Sequence, residues 1–352
     1  MSFGARLAAF AHGVWRGKGI VSTLLLPLSW LTALAVERKR RRYRDSPGLA
    51  WRAPTPVIVV GNIFIGGTGK TPVVIALAQA LRRHGWRPGV ISRGYGIETG
   101  AEPRVAQGMP DPALVGDEPA LIARAAATPI AVHPRRKLAA QALLQACPEV
   151  DVLISDDGLQ HLELARDIEI VVQDERGAGN GRLLPAGPLR EPAERLSSVD
   201  YLVTQQLQLS EAQDAVRAEM RPLSIGMCMR PVRVVHLISG EEMDWDAWVE
   251  KHAGQRPAAA AAIGNPARFF DMLRRSGLAP DPTLPLPDHY GYRESPFDGF
   301  GAAPILITPK DAVKCQHLAD DRLWSVQTET VFSDPGWPDS VHQRLLGLRS
   351  PH

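Results

Sequence analysis

Cysteine is scarce in this chain of 352 residues: Cys147, Cys228 and Cys315 are the only three, each more than 80 residues from the next. An odd, unclustered set argues against a disulfide framework or a zinc site and suits a reducing cytoplasm. An excess of one charge is missing too. Lys+Arg 40 against Asp+Glu 38 leaves +2, too balanced for a general nucleic-acid binder. A full apolar span is also lacking. Residues 19–36, GIVSTLLLPLSWLTALAV, run for eighteen positions without a charge, at the lower limit of the about 20 that a bilayer-crossing helix needs. The run does not read as a signal peptide, because its positive cluster follows it. What is present is ordinary: 45% apolar and 22% charged residues, with Gly 31 and Pro 30. That composition excludes disorder, a collagen-like repeat and a polytopic membrane protein, and the length favours two domains.

The charge is unevenly placed. Residues 1–44 hold nine Lys/Arg and one Glu, ahead of a mildly acidic body. Arg38, Lys39, Arg40, Arg41, Arg42 and Arg44 follow the apolar run directly. Basic residues beside an apolar segment are worth about 1 kcal/mol each against anionic lipid and put the following domain on the cytoplasmic side. Pro27 and four Ser/Thr positions weaken a simple span. A short span, an interfacial helix and a core helix all remain open, with membrane association the expectation.

The strongest local signal is Pro56-Val-Ile-Val-Val-Gly61, then Asn62-Ile-Phe-Ile-Gly66-Gly67-Thr68-Gly69-Lys70-Thr71, then the helical pattern VVIALAQALRRHG. Strand, glycine-rich turn and helix in that order are the context of a phosphate-binding P-loop. Gly66, Gly67, Thr68 and Gly69 let backbone N–H groups converge on a polyphosphate at a helix N-terminus. Lys70 would neutralise β/γ oxygens of a nucleotide, and the Thr71 hydroxyl would help hold Mg²⁺. Phe64 stands where the strict pattern has its first glycine, so the turn falls to the later ones.

Further polar residues sit at predicted strand ends. Asp151-Val-Leu-Ile-Ser-Asp156-Asp157 is an apolar strand finishing in two carboxylates, the arrangement that reaches a metal in a nucleotide site. Arg87–Gly96 ends a short apolar run in Ser92 and Arg93. Asp117 and Glu118 open a helix, which alone means no more than capping. Arg136 follows the strand-like PIAVHP and is a candidate phosphate clamp, with a surface arginine the equal alternative. Residues 179–192, GNGRLLPAGPLREP, are too long for a simple connection, and Arg190 and Glu191 are the candidate working groups.

These motifs together resemble the tetraacyldisaccharide 4′-kinase family, the lipid A 4′-kinases of Gram-negative bacteria. The resemblance rests on GGTGKTP, SRGYG, GDEP, DDGLQH, GNGRLLPAGPLREP, IGNPARFF, DHY and TPKDAVK, and runs from the N-terminal apolar helix to about residue 315. Phe64 and Pro309 depart from it, and neither is a residue assigned to chemistry. The resemblance implies phosphoryl transfer from ATP to the 4′-hydroxyl of a tetraacylated glucosamine disaccharide 1-phosphate. It implies an α/β fold: a P-loop NTPase-like α/β/α domain at 45–225, a smaller α/β domain with a β linker at 226–352, and a membrane-associated N-terminal helix with its basic cluster at 1–44. The nucleotide would lie in the cleft between the domains.

By the same resemblance Asp117 is the base, acting with His289, while Lys70 and Thr71 serve the phosphates. Asp156 and Asp157, with Glu118, would form the Mg²⁺ shell, and Arg136, Arg190 and Glu191 would position phosphate or substrate. The expected partners are the acylated disaccharide lipid and the cytoplasmic face of the inner membrane. No nucleic acid or obligate protein partner is expected. Two rivals remain: a P-loop switch or assembly ATPase, which needs no Asp117–His289 pair, and a kinase for another sugar acceptor.

Overall fold

The computed structural model describes residues 13–15, 17–94, 97, 100–209, 222–252, 254–288 and 290–349. They divide into two units. Of the described residues, the first holds those up to 206, 222–227 and 332–349, the second 207–209 and those within 228–331.

The first unit is a mainly parallel sheet with helices on both faces. Its strands are β1 (Val57–Gly61), β2 (Pro88–Ser92), β3 (Arg104–Ala106), β4 (Ile130–Val132), β5 (Val152–Asp156), β6 (Ile168–Asp174), β7 (Tyr201–Gln205) and the start of β8 (Leu223–His236). Their spatial order is β8-β7-β6-β1-β5-β2-β4-β3, with β3 antiparallel to β4. β1 pairs with β5 on one side (Val60 opposite Asp156) and β6 on the other (Val60 opposite Ile170). Every residue of β1 is buried, as a central parallel strand covered on both faces requires. Ile58 and Val60 enter one core, Val57 and Val59 the other.

On the first face lies the helix Lys70–Arg83. Its Val73, Val74, Leu77, Ala78 and Leu81 recur every three or four residues and are all buried. On the second face the helix Arg136–Ala146 contributes Ala139, Ala140 and Leu143. In chain order the helices named so far and their neighbours are α1 (Ile20–Leu24), α2 (Leu26–Asp45), α3 (Lys70–Arg83), α4 (Pro112–Val115), α5 (Asp117–Ala126) and α6 (Arg136–Ala146).

The second unit has its own sheet of β10 (Ala258–Ala261), β11 (Thr283–Pro285), β12 (Ile305–Ile307), β13 (Leu323–Phe332) and the rest of β8, with β9 (Glu242–Asp244) antiparallel to β8. The order is β11-β10-β12-β13-β8. β10 is four alanines, all buried, so large neighbours fill both faces. Trp245 and Trp248 of α7 (Trp245–His252) and Phe269, Phe270 and Leu273 of α8 (Pro266–Arg275) pack with Ala259 and Ala261. Tyr292, Phe297 and residues of α9 (Pro309–Cys315) pack with Ala258 and Ala260.

One boundary differs from expectation. Residues 332–349, within the stretch expected in the smaller domain, belong to the first unit. Trp337, Val341 and Leu345 of α10 (Trp337–Arg349) are buried in the same core as α3. Polar ties reinforce the docking: the His84 ring nitrogen Nε2 lies 2.6 Å from Asp339 Oδ1, and Trp86 Nε1 donates to His342 Nδ1 at 2.9 Å.

The N-terminal helices α1 and α2 are the anomaly of the first unit. Ser22 and Ser29 are buried, while Ile20 (81% exposed), Leu24 (74%) and Trp30 (68%) face outward with Leu28, Leu31 and Leu34. Their hydroxyls explain the orientation. Ser22 Oγ donates to the Ala186 carbonyl at 2.6 Å; Ser29 Oγ donates to the Leu183 carbonyl at 2.8 Å and accepts from Ala186 N at 3.0 Å. Asn180 Nδ2 donates to the Gly17 and Ala186 carbonyls, and Arg182 Nη1 donates to Ser22 Oγ. The polar side of the segment is its docked side. The core-helix reading fails on this arrangement. Among the described residues no helix is long and apolar enough to cross a membrane.

Candidate active site

The site grows from the carboxyl edge of the first unit's sheet, where β1, β2, β5 and β7 end. In open α/β sheets that edge is where ligands bind. β1 runs into Asn62, whose buried side chain ties the following loop: Nδ2 donates to the Gly66 carbonyl at 3.1 Å and to Thr68 Oγ1 at 3.0 Å. Gly66 and Gly67 are exposed and Thr68 is buried. Gly69 then takes a left-handed conformation (φ 87°) as the N-cap of α3 and offers no side-chain cap. The dihedral requires glycine here, and a Cβ would in addition displace the Gln205 amide at the end of β7. The first N–H groups of α3 therefore face outward at the positive end of the helix dipole, with Lys70 and Thr71 in its first turn.

Phe64 has a structural role. Its ring is buried, the Arg176 guanidinium lies 4.2 Å from its centroid, and it bridges to Leu189. Ile65 N donates to the Pro188 carbonyl and Arg190 N to the Ile63 carbonyl. The long 179–192 loop is thereby stitched to the approach of the glycine-rich loop, and Arg190 is delivered to the site.

β5 supplies the two carboxylates, and they are not equivalent. Asp156 is buried and accepts a hydrogen bond from Ser92 Oγ, at the end of β2, at 2.9 Å. Burial pushes its carboxyl up to about 6, with Asp157 and Glu118 adding to the rise and Lys70 opposing it. Asp157 lies in a left-handed turn (φ 47°) between two cations: Lys70 Nζ is 3.5 Å from Oδ1, and Arg190 Nη1 is 3.3 Å from both oxygens. Burial would raise it, but Lys70 and Arg190 together hold it below the usual carboxylate range. Asp117 is the first residue of α5, after Gly116 (φ 97°) as N-cap, and Glu118 follows it.

Two expected positioning groups are engaged elsewhere. Arg136 is fully buried. Its Nη1 donates to the His133 carbonyl at 3.0 Å, and its Nη2 to the carbonyls of Asp156 (3.2 Å) and Asp157 (3.4 Å). It braces the turn that carries the carboxylates, and its side chain has no open face for a phosphate. Glu191 is buried against Arg195 and accepts from Gln160 Nε2 at 2.6 Å. Gln160 in turn donates to the Asn62 carbonyl and accepts from Arg190 Nη1 at 3.4 Å. Glu191 thus acts through Gln160 on the loop. Lys70, Thr71, Asp156, Asp157, Arg190 and Glu191 all belong to this neighbourhood; His289 lies outside the described residues.

Sequence reading did not single out Asn62, Gln160 or His161 for roles. His161, in the turn after β5, has its imidazole pushed down to about 4 by burial, with Arg136 and Lys39 adding to the fall, so it is neutral at physiological pH. All three stood inside quoted motifs, so the signal was available; their hydrogen-bond partners were not. In the second unit the DHY and TPKDAVK segments meet: Lys310 Nζ is 3.5 Å from Asp288 Oδ1. Asp311 is buried, accepting from Thr308 Oγ1 at 2.6 Å and Ala262 N at 3.2 Å. The role of Asp311 is structural, closing α9 onto β10.

Comparison with known proteins shows the family. The model of a family described as "LpxK: Tetraacyldisaccharide-1-P 4'-kinase" matches residues 21–346. A tetraacyldisaccharide 4'-kinase of Bordetella petrii is 55% identical over 339 residues, covering 96% of this chain and 96% of the relative. One from Bordetella parapertussis is 56% identical over 331 residues, 94% of each chain. A crystal structure of LpxK from Aquifex aeolicus in complex with ATP superposes with a TM-score of 0.73 at 25% identity, covering 93% of this chain and 100% of that one. The chain, a mixed α/β protein with a central sheet, belongs to the tetraacyldisaccharide-1-P 4'-kinase family.

Proposed function

We propose that this chain is an ATP-dependent kinase that phosphorylates the 4′-hydroxyl of tetraacyldisaccharide 1-phosphate in lipid A biosynthesis. One observation carries the site assignment. A left-handed Gly69 opens α3 with Lys70 3.5 Å from a carboxylate at the end of the neighbouring strand β5. This supports reading residues 66–71 as a P-loop.

In that reading the loop amides and the α3 N-terminus bind the polyphosphate, and Lys70 turns from Asp157 to the β/γ oxygens. Arg190, also held by Asp157, is the second cation within reach of the transferring group. Asp117 accepts the proton of the sugar hydroxyl as its oxygen bonds to the γ-phosphorus and the bond to the β-phosphate oxygen breaks, releasing ADP. A sugar hydroxyl is a poor nucleophile, so positioning and charge neutralisation carry much of the rate.

The donor set fits Mg²⁺. Among the described residues no cluster of three or more His, Cys, Asp or Glu could hold a metal by itself. Mg²⁺ bound through one or two carboxylates and substrate phosphates needs none. Asp156, buried and without a direct ion pair among the described residues, and the Thr71 hydroxyl are the oxygen donors proposed to hold it, with Glu118 behind them; Asp157 is the less suited, being already shared by two cations. Bound there, the metal would neutralise charge on the β and γ oxygens.

The outward apolar face of α1 and α2, followed by the basic cluster, supports a place on the cytoplasmic face of the inner membrane. Acyl chains would stay in lipid while the headgroup reaches the site. The test is acceptor dependence: with γ-labelled ATP and Mg²⁺, label passes to the tetraacylated disaccharide 1-phosphate and not to unacylated glucosamine disaccharide. ATP turnover without any acceptor would support the switch-ATPase reading instead.

A further inference from the structure

A second basic feature lies away from the glycine-rich loop. A groove of about 670 Å³ lies between the C-terminal half of α2 and the turn after β5, and Arg40, Tyr43, Arg44 and Arg52 line it beside Leu162 and Leu164. Apart from Arg195, which pairs with Glu191, it shares no lining residue with the site described above.

Its chemistry follows from the helix register. Ser29, Ala33, Val36, Arg40 and Tyr43 succeed one another in steps of four and three, so they share the docked side of α2, and none of them is exposed. Arg40 is therefore a cation turned toward the body of the protein. Among the described residues it has no carboxylate within ion-pair distance, since Glu37 pairs with Arg41 on the outer side at 2.6 Å. Deeper in the groove, Arg166 and Arg195 are already committed to Glu169, and Arg195 also to Glu191. Arg52 places one nitrogen on Asp167 at 2.7 Å but keeps an exposed guanidinium. Arg44 also meets a carboxylate, its Nε 3.3 Å from Asp45 Oδ1, but the pair is exposed. Arg40, Arg44 and Arg52 thus outnumber the carboxylates paired with them, Asp45 and Asp167, and leucines form part of the wall.

A phosphate ester with an attached apolar chain matches that surface. Guanidinium forks bind phosphate oxygens bidentately, and leucine accepts a glyceryl or acyl stem. The location agrees. Arg40 lies six residues, about 9 Å along the helix axis, beyond Leu34, the last large residue of the outward apolar face. We propose that this groove is a binding site for the phosphate headgroup of an anionic membrane lipid, separate from the site of phosphoryl transfer. The inference rests on the membrane reading above only in taking lipid as the source of the phosphate.

The test uses the full chain and vesicles of phosphatidylcholine with and without phosphatidic acid. A groove variant, Arg40→Gln with Arg44→Gln and Arg52→Gln, is compared with a charge-matched control, Arg38→Gln with Arg41→Gln and Arg42→Gln. The groove variant is expected to lose at least about tenfold more phosphatidate-dependent affinity than the control, the contribution of a charge-assisted pair beyond diffuse attraction. ATP affinity and turnover on detergent-dispersed acceptor stay at wild-type values in both variants, and that parallel measurement separates failure of this site from failure of the kinase reading. Displacement of the vesicles by millimolar inorganic phosphate would assign the groove to a free anion. Displacement by the disaccharide 1-phosphate in place of phosphatidate would assign it to the kinase's own acceptor. Both results would overturn the membrane-lipid source. Equal losses in the two variants, or no loss in either, would overturn the site itself.

Discussion

Helices α2 and α3 belong to the same unit and are built in opposite senses. α3 buries Val73, Val74, Leu77 and Leu81 and turns Gln79 and Arg83 outward. α2 with α1 buries Ser22 and Ser29 and turns Ile20, Leu24, Leu28 and Leu31 outward. A helix beside water hides apolar groups because each buried aliphatic side chain is worth about 1.5–3 kcal/mol. The inversion in α2 is stable in water only at a cost, and a lipid surface removes that cost. The inversion is what the proposed place at a lipid surface would explain. The two helices also meet the site differently: α3 presents its N-terminus to it, whereas α2 holds the 179–192 loop that carries Arg190.

Substitutions that separate the two roles sharpen this contrast. The largest effect is expected at the start of α3. Lys70→Ala lowers turnover by about 10³-fold or more, as loss of a principal cation on the transferring phosphate should. Asp117→Ala and His289→Ala each lower it by about 10²–10⁴-fold, the range of general acid–base groups. Vesicle partitioning is unchanged in all three; a parallel loss of both properties would break the distinction.

Next comes the outer face of α1 and α2. Replacing Leu24, Leu28 and Leu31 together by Glu reduces vesicle partitioning by about 10²-fold or more while ATP affinity holds. The counterpart on α3, Leu77→Ala, costs about 2–5 kcal/mol of stability, read from denaturant unfolding. If the α2 triple instead lowered stability to that extent, its leucines would be core residues.

A smaller effect is expected from Asn62→Ala. It removes the two hydrogen bonds that tie the glycine-rich loop, and kcat/KM for ATP falls about tenfold with the fold intact, about 0.5–1.5 kcal/mol per bond.

The smallest concerns Asp156. A carboxyl whose folded value, about 6, lies above its unfolded value loses stability as pH rises between the two, and the loss is complete above about 6. Asp156→Asn removes that cost, so its thermal midpoint at pH 8 exceeds wild type by several degrees, roughly 2–4 °C for each kcal/mol recovered. Below about pH 4 the advantage disappears. For the wild-type protein, the Mg²⁺ concentration needed for half-maximal activity rises as pH falls below about 6.

Much of this was legible in the sequence because the signals were local. The β-branched run 57–61, the glycines before Lys70 and the apolar spacing of α3 each act within a few residues, and strand, loop and helix lie where those patterns put them. Long-range contacts were not legible. Nothing near Arg136 in the sequence reveals that its guanidinium passes beneath the Asp156–Asp157 turn, so a brace read as a clamp. Asp156 and Asp157 look alike in sequence; distant segments make one a carboxyl buried beside Ser92 of β2 and the other a carboxylate paired with Lys70 of α3 and Arg190 of the long loop. Ser22 and Ser29 weakened the case for a span, and their actual work is to accept and donate hydrogen bonds with backbone more than 150 residues away. The return of residues 332–349 to the first unit depends on Trp337 meeting a core assembled from distant strands.

Phosphoryl transfer to the acylated disaccharide at the loop that ends in Lys70 is tested most directly on the product itself. Wild type and Lys70→Ala, matched for unfolding midpoint, are each incubated with ATP, Mg²⁺ and tetraacyldisaccharide 1-phosphate, and the lipid is analysed by mass and by position of phosphate. The account predicts one added phosphate on the 4′-hydroxyl with wild type and about 10³-fold less with the variant. Undiminished product from Lys70→Ala, or phosphate at another hydroxyl, would contradict it.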